Sequence, residues 1–181
     1  MQITHKLLLA LCLSQPLMAI AQLPDFKRDE QLAEMKKLAW MVGEWRGTGS
    51  MQMGPGPAMT SQVHERIESK LDGLAIHVEG IGMAKDAAGK ETKVHHALAT
   101  ISWSPECKCY RFPAHTMHGS HVNAEMRIVD NTVVWGFKTG PMEIRYTIRQ
   151  TDKGQWNEVG DRSMDGKSWQ RFFEMNLDRV K

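Results

Sequence analysis

From residue 44 onward the chain alternates apolar and polar residues. Val63, Ile67 and Leu71 interleave with His64, Arg66, Glu68 and Lys70, and Leu74, Ile76 and Val78 with His77 and Glu79. Val122, Ala124, Met126 and Ile128 interleave with Asn123, Glu125 and Arg127. Met142, Ile144, Tyr146 and Ile148 interleave with Glu143, Arg145, Thr147 and Arg149. Successive side chains of a strand point to opposite faces, so this periodicity marks a sheet with one dry and one wet face. Turn-forming groups separate the runs: Asp72-Gly73, Asp86-Ala87-Ala88-Gly89, Asp130-Asn131, Thr139-Gly140-Pro141, Asp152-Lys153-Gly154 and Asp165-Gly166. Such groups suit tight hairpins.

About ten strands result, at roughly 44–53, 60–71, 74–83, 93–103, 108–117, 121–129, 132–138, 142–150, 155–163 and 168–179. A meander this long curls, and closing it removes both exposed edges. The expectation is therefore an all-β, antiparallel up-and-down barrel, with a two-sheet sandwich as the runner-up. Residues 26–42 read instead as one amphipathic helix. Leu32, Met35, Leu38, Ala39 and Val42 recur on one side, with Asp25 as its cap and Gly43 as its stop.

The N-terminal end has a different character. Lys6 precedes an apolar run from Leu7 to Leu13, and Ala19-Ile20-Ala21 offers the small-x-small pattern of a cleavage site. This predicts a signal peptide over 1–21 and a single domain over 22–181, in the periplasm or outside the cell. A membrane span needs ~20 apolar residues, and Ser14-Gln15-Pro16 interrupts this run. No membrane span is expected after cleavage. The remaining 181 − 21 = 160 residues can bury a sizeable core. Losing Lys6 takes the formal net charge from +2 to +1. So small a charge, with no basic cluster, gives no case for a nucleic-acid partner. Cys12 leaves with the leader. Cys107 and Cys109 then remain as a possible disulfide, too little to act as a framework.

Two stretches carry a resemblance. One is Leu38-Ala39-Trp40-Met41-Val42-Gly43-Glu44-Trp45-Arg46-Gly47-Thr48-Gly49. The other runs from Trp156-Asn157-Glu158-Val159-Gly160 through Ser163-Met164-Asp165-Gly166-Lys167-Ser168-Trp169 to Phe172-Phe173-Glu174-Met175-Asn176-Leu177-Asp178-Arg179. Together they resemble the bacterial calycin-like proteins classed under domain of unknown function 1579, and more distantly the nitrobindins and lipocalins. The resemblance implies a ten-stranded barrel with a central cavity and no known activity. It also implies a barrel lock at Gly43 and Trp45, the Trp stacking under an Arg of the last strand. Arg171 and Arg179 are the candidates, and Arg179 is assigned.

Several groups could carry chemistry. Eight histidines less His5 leave seven in the mature chain. His115-x-x-His118-x-x-His121 would need a bend to converge, because odd separations on a strand alternate faces. No metal site is assigned. His95 and His96 are adjacent on a run whose two faces are both apolar, so parity leaves open which points inward; His96 is placed in the cavity set. Glu65 shares its face with Val63 and Ile67, Glu158 with Trp156, and Arg171 with Trp169 and Phe173. This admits an internal Glu–Arg pair or polar recognition in a cavity. Nitrobindins hold haem through a His near the last strand, and here that strand has none. The expectation is therefore no haem and no other cofactor.

Nucleophile elbows, phosphate loops and metalloprotease motifs are absent. The reading leans away from an enzyme and towards a barrel binding a small, largely apolar ligand. Glu65, His96, Trp135, Tyr146, Arg171 and Phe173 form the candidate cavity. A haem- or metal-binding redox enzyme and a structural or interaction barrel with a filled core are the alternatives. The sequence does not set the oligomeric state.

Overall fold

The structure is a computed structural model and describes residues 26–180. The expected signal peptide, its cleavage site and the Asp25 cap lie outside the described residues. A helix α1 (Arg28–Lys36) is followed by a 3-10 turn (Ala39–Met41). Ten strands then follow: β1 Gly43–Met51, β2 Met59–Lys70, β3 Ala75–Lys85, β4 Glu91–Ser104 and β5 Cys109–Thr116. After these come β6 His121–Val129, β7 Thr132–Thr139, β8 Met142–Gln150, β9 Trp156–Ser163 and β10 Gln170–Arg179.

Each strand pairs antiparallel with its sequence neighbour, and β1 pairs with β10 to close a ring. The all-β barrel expectation holds, and the sandwich does not. At the seam Trp45 lies opposite Arg179 and Met51 opposite Phe173. The two strands approach closely. A Cβ on Gly47 would lie 2.0 Å from the Asn176 carbonyl oxygen, so this position of the seam accepts only glycine without a backbone shift.

The helix is shorter than the expected 26–42. Lys27 sits in the left-handed region (φ 51°), and regular helix ends at Lys36. The tighter turn that follows lets Leu38 and Met41, together with Met35, point into the barrel base. Gly43, at φ 140°, then turns the chain into β1. Side-chain bonds tie the helix to the wall: the Tyr110 hydroxyl donates to the Glu34 carbonyl (3.0 Å), and Trp103 Nε1 donates to Glu30 (3.2 Å).

Alternation divides each strand between wall exterior and lumen, and the lumen has two storeys. The lower one, above the helix, is filled. Trp45, Ile67, Ile101, Tyr110, Met126 and Leu177 there are essentially inaccessible. In the upper storey the inward-facing Val63, Glu65, Val78, Ala97, Ala114, Trp135, Tyr146 and Phe173 all keep some accessible surface. The barrel is thus tightly filled at the helix end and keeps accessible inward-facing surface towards the other.

Candidate functional site: the barrel lumen

The floor is aromatic. Trp40, Trp45 and Trp156 pack against one another with ring centroids 5.5–6.4 Å apart. Trp45 Nε1 donates to the Met41 carbonyl at 2.8 Å. The Arg179 guanidinium lies 4.2 Å above the Trp45 ring and donates to the Val42 carbonyl (2.5 Å) and to the Trp40 carbonyl. The stack joins the first strand, the last strand and the turn before β1. A cation over an indole face adds attraction to the hydrogen bonds.

Two carboxyls stand just above this floor. Glu65 on β2 lies opposite Trp45 on one side and Gly80 on the other. A Cβ at Gly80 would come within 2.6 Å of Glu65 Oε1, so the missing side chain makes the room that the carboxyl occupies. Glu158 on β9 is buried and accepts a hydrogen bond from Trp156 Nε1 at 3.3 Å. Burial pushes Glu65 up to about 8, with the nearby Glu158 adding to the effect. Burial likewise pushes Glu158 up to about 7, partly offset by the Trp156 hydrogen bond. Removing a carboxylate from water without a counter-charge favours its neutral form.

Aromatic rings line the space above. Tyr146 stacks on Trp135 with centroids 4.4 Å apart and planes 16° from parallel. Phe112 meets Trp135 edge-on at 4.7 Å, and Phe172 and Phe173 each meet Tyr146 at 5.9 Å. Two consecutive phenylalanines reach the same ring because the β9–β10 register shifts between Arg171 and Phe173. Burial, and then the Glu158 charge, hold the Tyr146 hydroxyl in its neutral form well above its ordinary value. The Trp135 indole N–H is buried and has no hydrogen-bond partner among the described residues. Such an orphan costs free energy until an acceptor reaches it.

The wall pairing is interrupted beside this aromatic group. Strands β6 and β7 pair only from Met126–Trp135 to Val129–Thr132. Beyond Trp135 they separate around a cleft of about 480 Å³ lined by residues 121–125 and 136–138. Inward-facing Val122, Ala124 and Phe137 and outward-facing Asn123 and Glu125 line it together.

Two residues of the expected cavity set are not in it. His96 lies on the outer face, its Nε2 2.9 Å from Glu79 Oε1, and its neighbour His95 takes the lumenal face near the open end. The register decides this: His95 pairs with Gly82, in line with Gly80 and Glu65. Arg171 is also outside. It sits before the register shift and donates to Asp161 at 2.7 Å, beside Arg145, whose guanidinium covers Trp169. The internal Glu–Arg pair is therefore not formed: among the described residues neither Glu65 nor Glu158 has an arginine partner. Glu65, Trp135, Tyr146 and Phe173 face the lumen. Phe112, Phe137, His95 and the cradle at Gly80 join them; Gly80 meets Glu65 only across the β2–β3 pairing, so no stretch of sequence announces the cradle.

The other histidines sit elsewhere. His115 and His121 stack on the outer face, centroids 6.1 Å apart. His64 and His77 lie near Glu44 and Glu68. Among the described residues, the group with three converging ligand-type atoms is Cys107, Cys109 and Glu125. Its two cysteines are joined in a disulfide at the β4–β5 turn.

No family model matches the chain, and no curated protein matches it. Among solved structures it is similar to Rv2717c from M. tuberculosis, with a TM-score of 0.55 and 11% identity. That match covers 81% of this chain and 97% of the other. It is also similar to the S-type phycobiliprotein lyase CPES from Guillardia theta, with a TM-score of 0.54 and 13% identity over 87% and 99% of the two chains. What they share with this chain is the fold, a closed antiparallel β-barrel. Identities this low extend to the fold alone. Within the barrel, the lumen is the concave space where aromatic walls and unpartnered polar groups converge.

Proposed function

We propose that this chain is a periplasmic or secreted calycin-type carrier that takes a small, largely apolar molecule into the upper lumen. Residues 38–49 and 156–179 support placing it with the calycin-like proteins of domain of unknown function 1579. The observation that carries the reading is the aromatic group around Trp135 and Tyr146, accessible within the barrel and holding a buried N–H with no acceptor. A filled structural core would leave neither the accessible surface nor the orphan donor. The likeness in fold to a protein named as an S-type phycobiliprotein lyase is consistent with a barrel that receives a small molecule. Among the described residues no nucleophile and base stand together to supply a reaction, and we read the chain as a binder that uses no cofactor of its own.

Native mass spectrometry of protein purified from its export compartment tests this. The expected result is a population heavier than the mature chain by one small molecule, lost on mild activation and absent from Trp135→Ala. Wild-type protein with no such adduct, and with no capacity to retain any hydrophobic probe, would overturn it.

A further inference from the structure

We infer that the lumen selects a molecule with a positively charged nitrogen on a flat apolar body, the charge lodged at Glu65 and Glu158 and the body against Trp135 and Tyr146. This rests on the binding reading above and names its ligand class. Two carboxyls face the barrel interior from β2 and β9, and among the described residues no lysine or arginine forms an ion pair with either. The nearby cations are committed elsewhere. Arg179 serves the Trp45 ring, Arg171 and Arg145 serve Asp161, and Arg162 binds the Met53 carbonyl and Gln170. Among the described residues Glu158 has one side-chain hydrogen bond, from Trp156, and Glu65 has none. Like charges held together out of water are relieved by a proton or by a cation from outside. A compact metal ion is the poorer candidate, since hard cations take about six or more oxygen ligands. The π faces of Trp135 and Tyr146 attract an organic cation and repel an anion.

A cation that displaces the protons of this pair binds more tightly as pH rises. The other titratable groups facing the pair are Tyr146 from β8 and, nearer the open end, His95 from β4, whose burial, with His118 and His96 nearby, disfavours its charged form. Neither supplies a counter-charge at neutral pH.

Equilibrium dialysis of three isosteric probes against the full mature protein is decisive. The probes are N-methylquinolinium, methylnaphthalene and naphthoate, each read by its own absorbance. We expect the cation to be held about tenfold more tightly than the neutral probe, and the anion least. In the E65Q/E158Q double variant the cation should fall to the level of methylnaphthalene, whose own binding stays unchanged. In wild-type protein the affinity for the cation should rise several-fold between about pH 6 and about pH 8 while that for methylnaphthalene stays flat. Should the double variant not fold, the wild-type pH series decides. A neutral probe bound as tightly as the cation, a cation preference that survives E65Q/E158Q, or a flat pH series for the cation overturns the inference and leaves lumenal binding standing. Retention of none of the three overturns the binding reading with it.

Discussion

Glu65 and Glu158 hold protons in the folded chain that they release in the unfolded one, and this gives stability a direction with pH. Their carboxyls rise from an ordinary 4.5 to about 8 and about 7. Between those limits the native state binds more protons than the unfolded state, so stability falls as pH rises through the window and levels off above it. The melting temperature is expected to drop from about pH 5 to about pH 8. Glu158→Gln should flatten that slope and raise the melting temperature at the alkaline end; an unchanged slope would count against the buried pair. Trp45→Ala should cost about 3–5 kcal/mol in denaturant unfolding, because a fully buried indole leaves a cavity and its Arg179 partner loses its ring. Of the residues expected in the cavity, Glu65, Trp135, Tyr146 and Phe173 have an inward register. Sequence alternation could not choose between His95 and His96, because Leu98 and Ala97 make both faces of β4 apolar. Arg171 was misplaced for another reason: a one-residue register shift reverses every parity argument beyond it, and nothing in Gln170-Arg171-Phe172 announces the shift.

The strands themselves were nearly all legible, to within a residue or two, because each alternating run ends at a residue suited to a tight turn. Asp130 and Asn131, both at positive φ between β6 and β7, are one case. The helix was overextended, because Leu38, Ala39 and Val42 continue a helical spacing that the barrel floor uses differently. Where β6 and β7 part company, backbone amides lose a partner. In hydrogen-exchange mass spectrometry the alternate amides of 121–125 that face β7 should exchange faster than those of β3 and β4, which pair from Ala75–Ser102 to Lys85–Glu91. Equal protection would mean that the gap closes in solution. At the seam, Gly47→Ala should destabilise by about 1–3 kcal/mol in denaturant melts, since the added methyl meets the Asn176 carbonyl. Gly56→Ala, with open space around it, serves as the neutral control.

For the molecule as a whole, the closed topology was readable from the number and regularity of the strands. What fills the lumen was not, because the residues that decide it belong to different strands and meet only after closure. N-terminal sequencing of the exported protein should begin at Gln22; an intact Met1 on a membrane-embedded product would remove the secreted reading. Hemin added to the purified protein should give an ill-defined spectrum, since strand β10 offers Met175 but no histidine and the lumenal His95 sits near the open end. A sharp, saturable spectrum abolished by His95→Ala would reverse that expectation. The pairing of β1 with β10 has a consequence for how the chain comes into being. Strand β1 has β2 beside it early, but its other neighbour is the last to be made. A chain delivered from its N-terminus, by a ribosome or through a pore, is until then an open ribbon with two bare edges, and the Trp45 ring waits uncovered for Arg179. The interval between the first strand and the last is when the chain can be threaded, held by a chaperone or lost to edge-to-edge aggregation, and it ends only when β10 arrives.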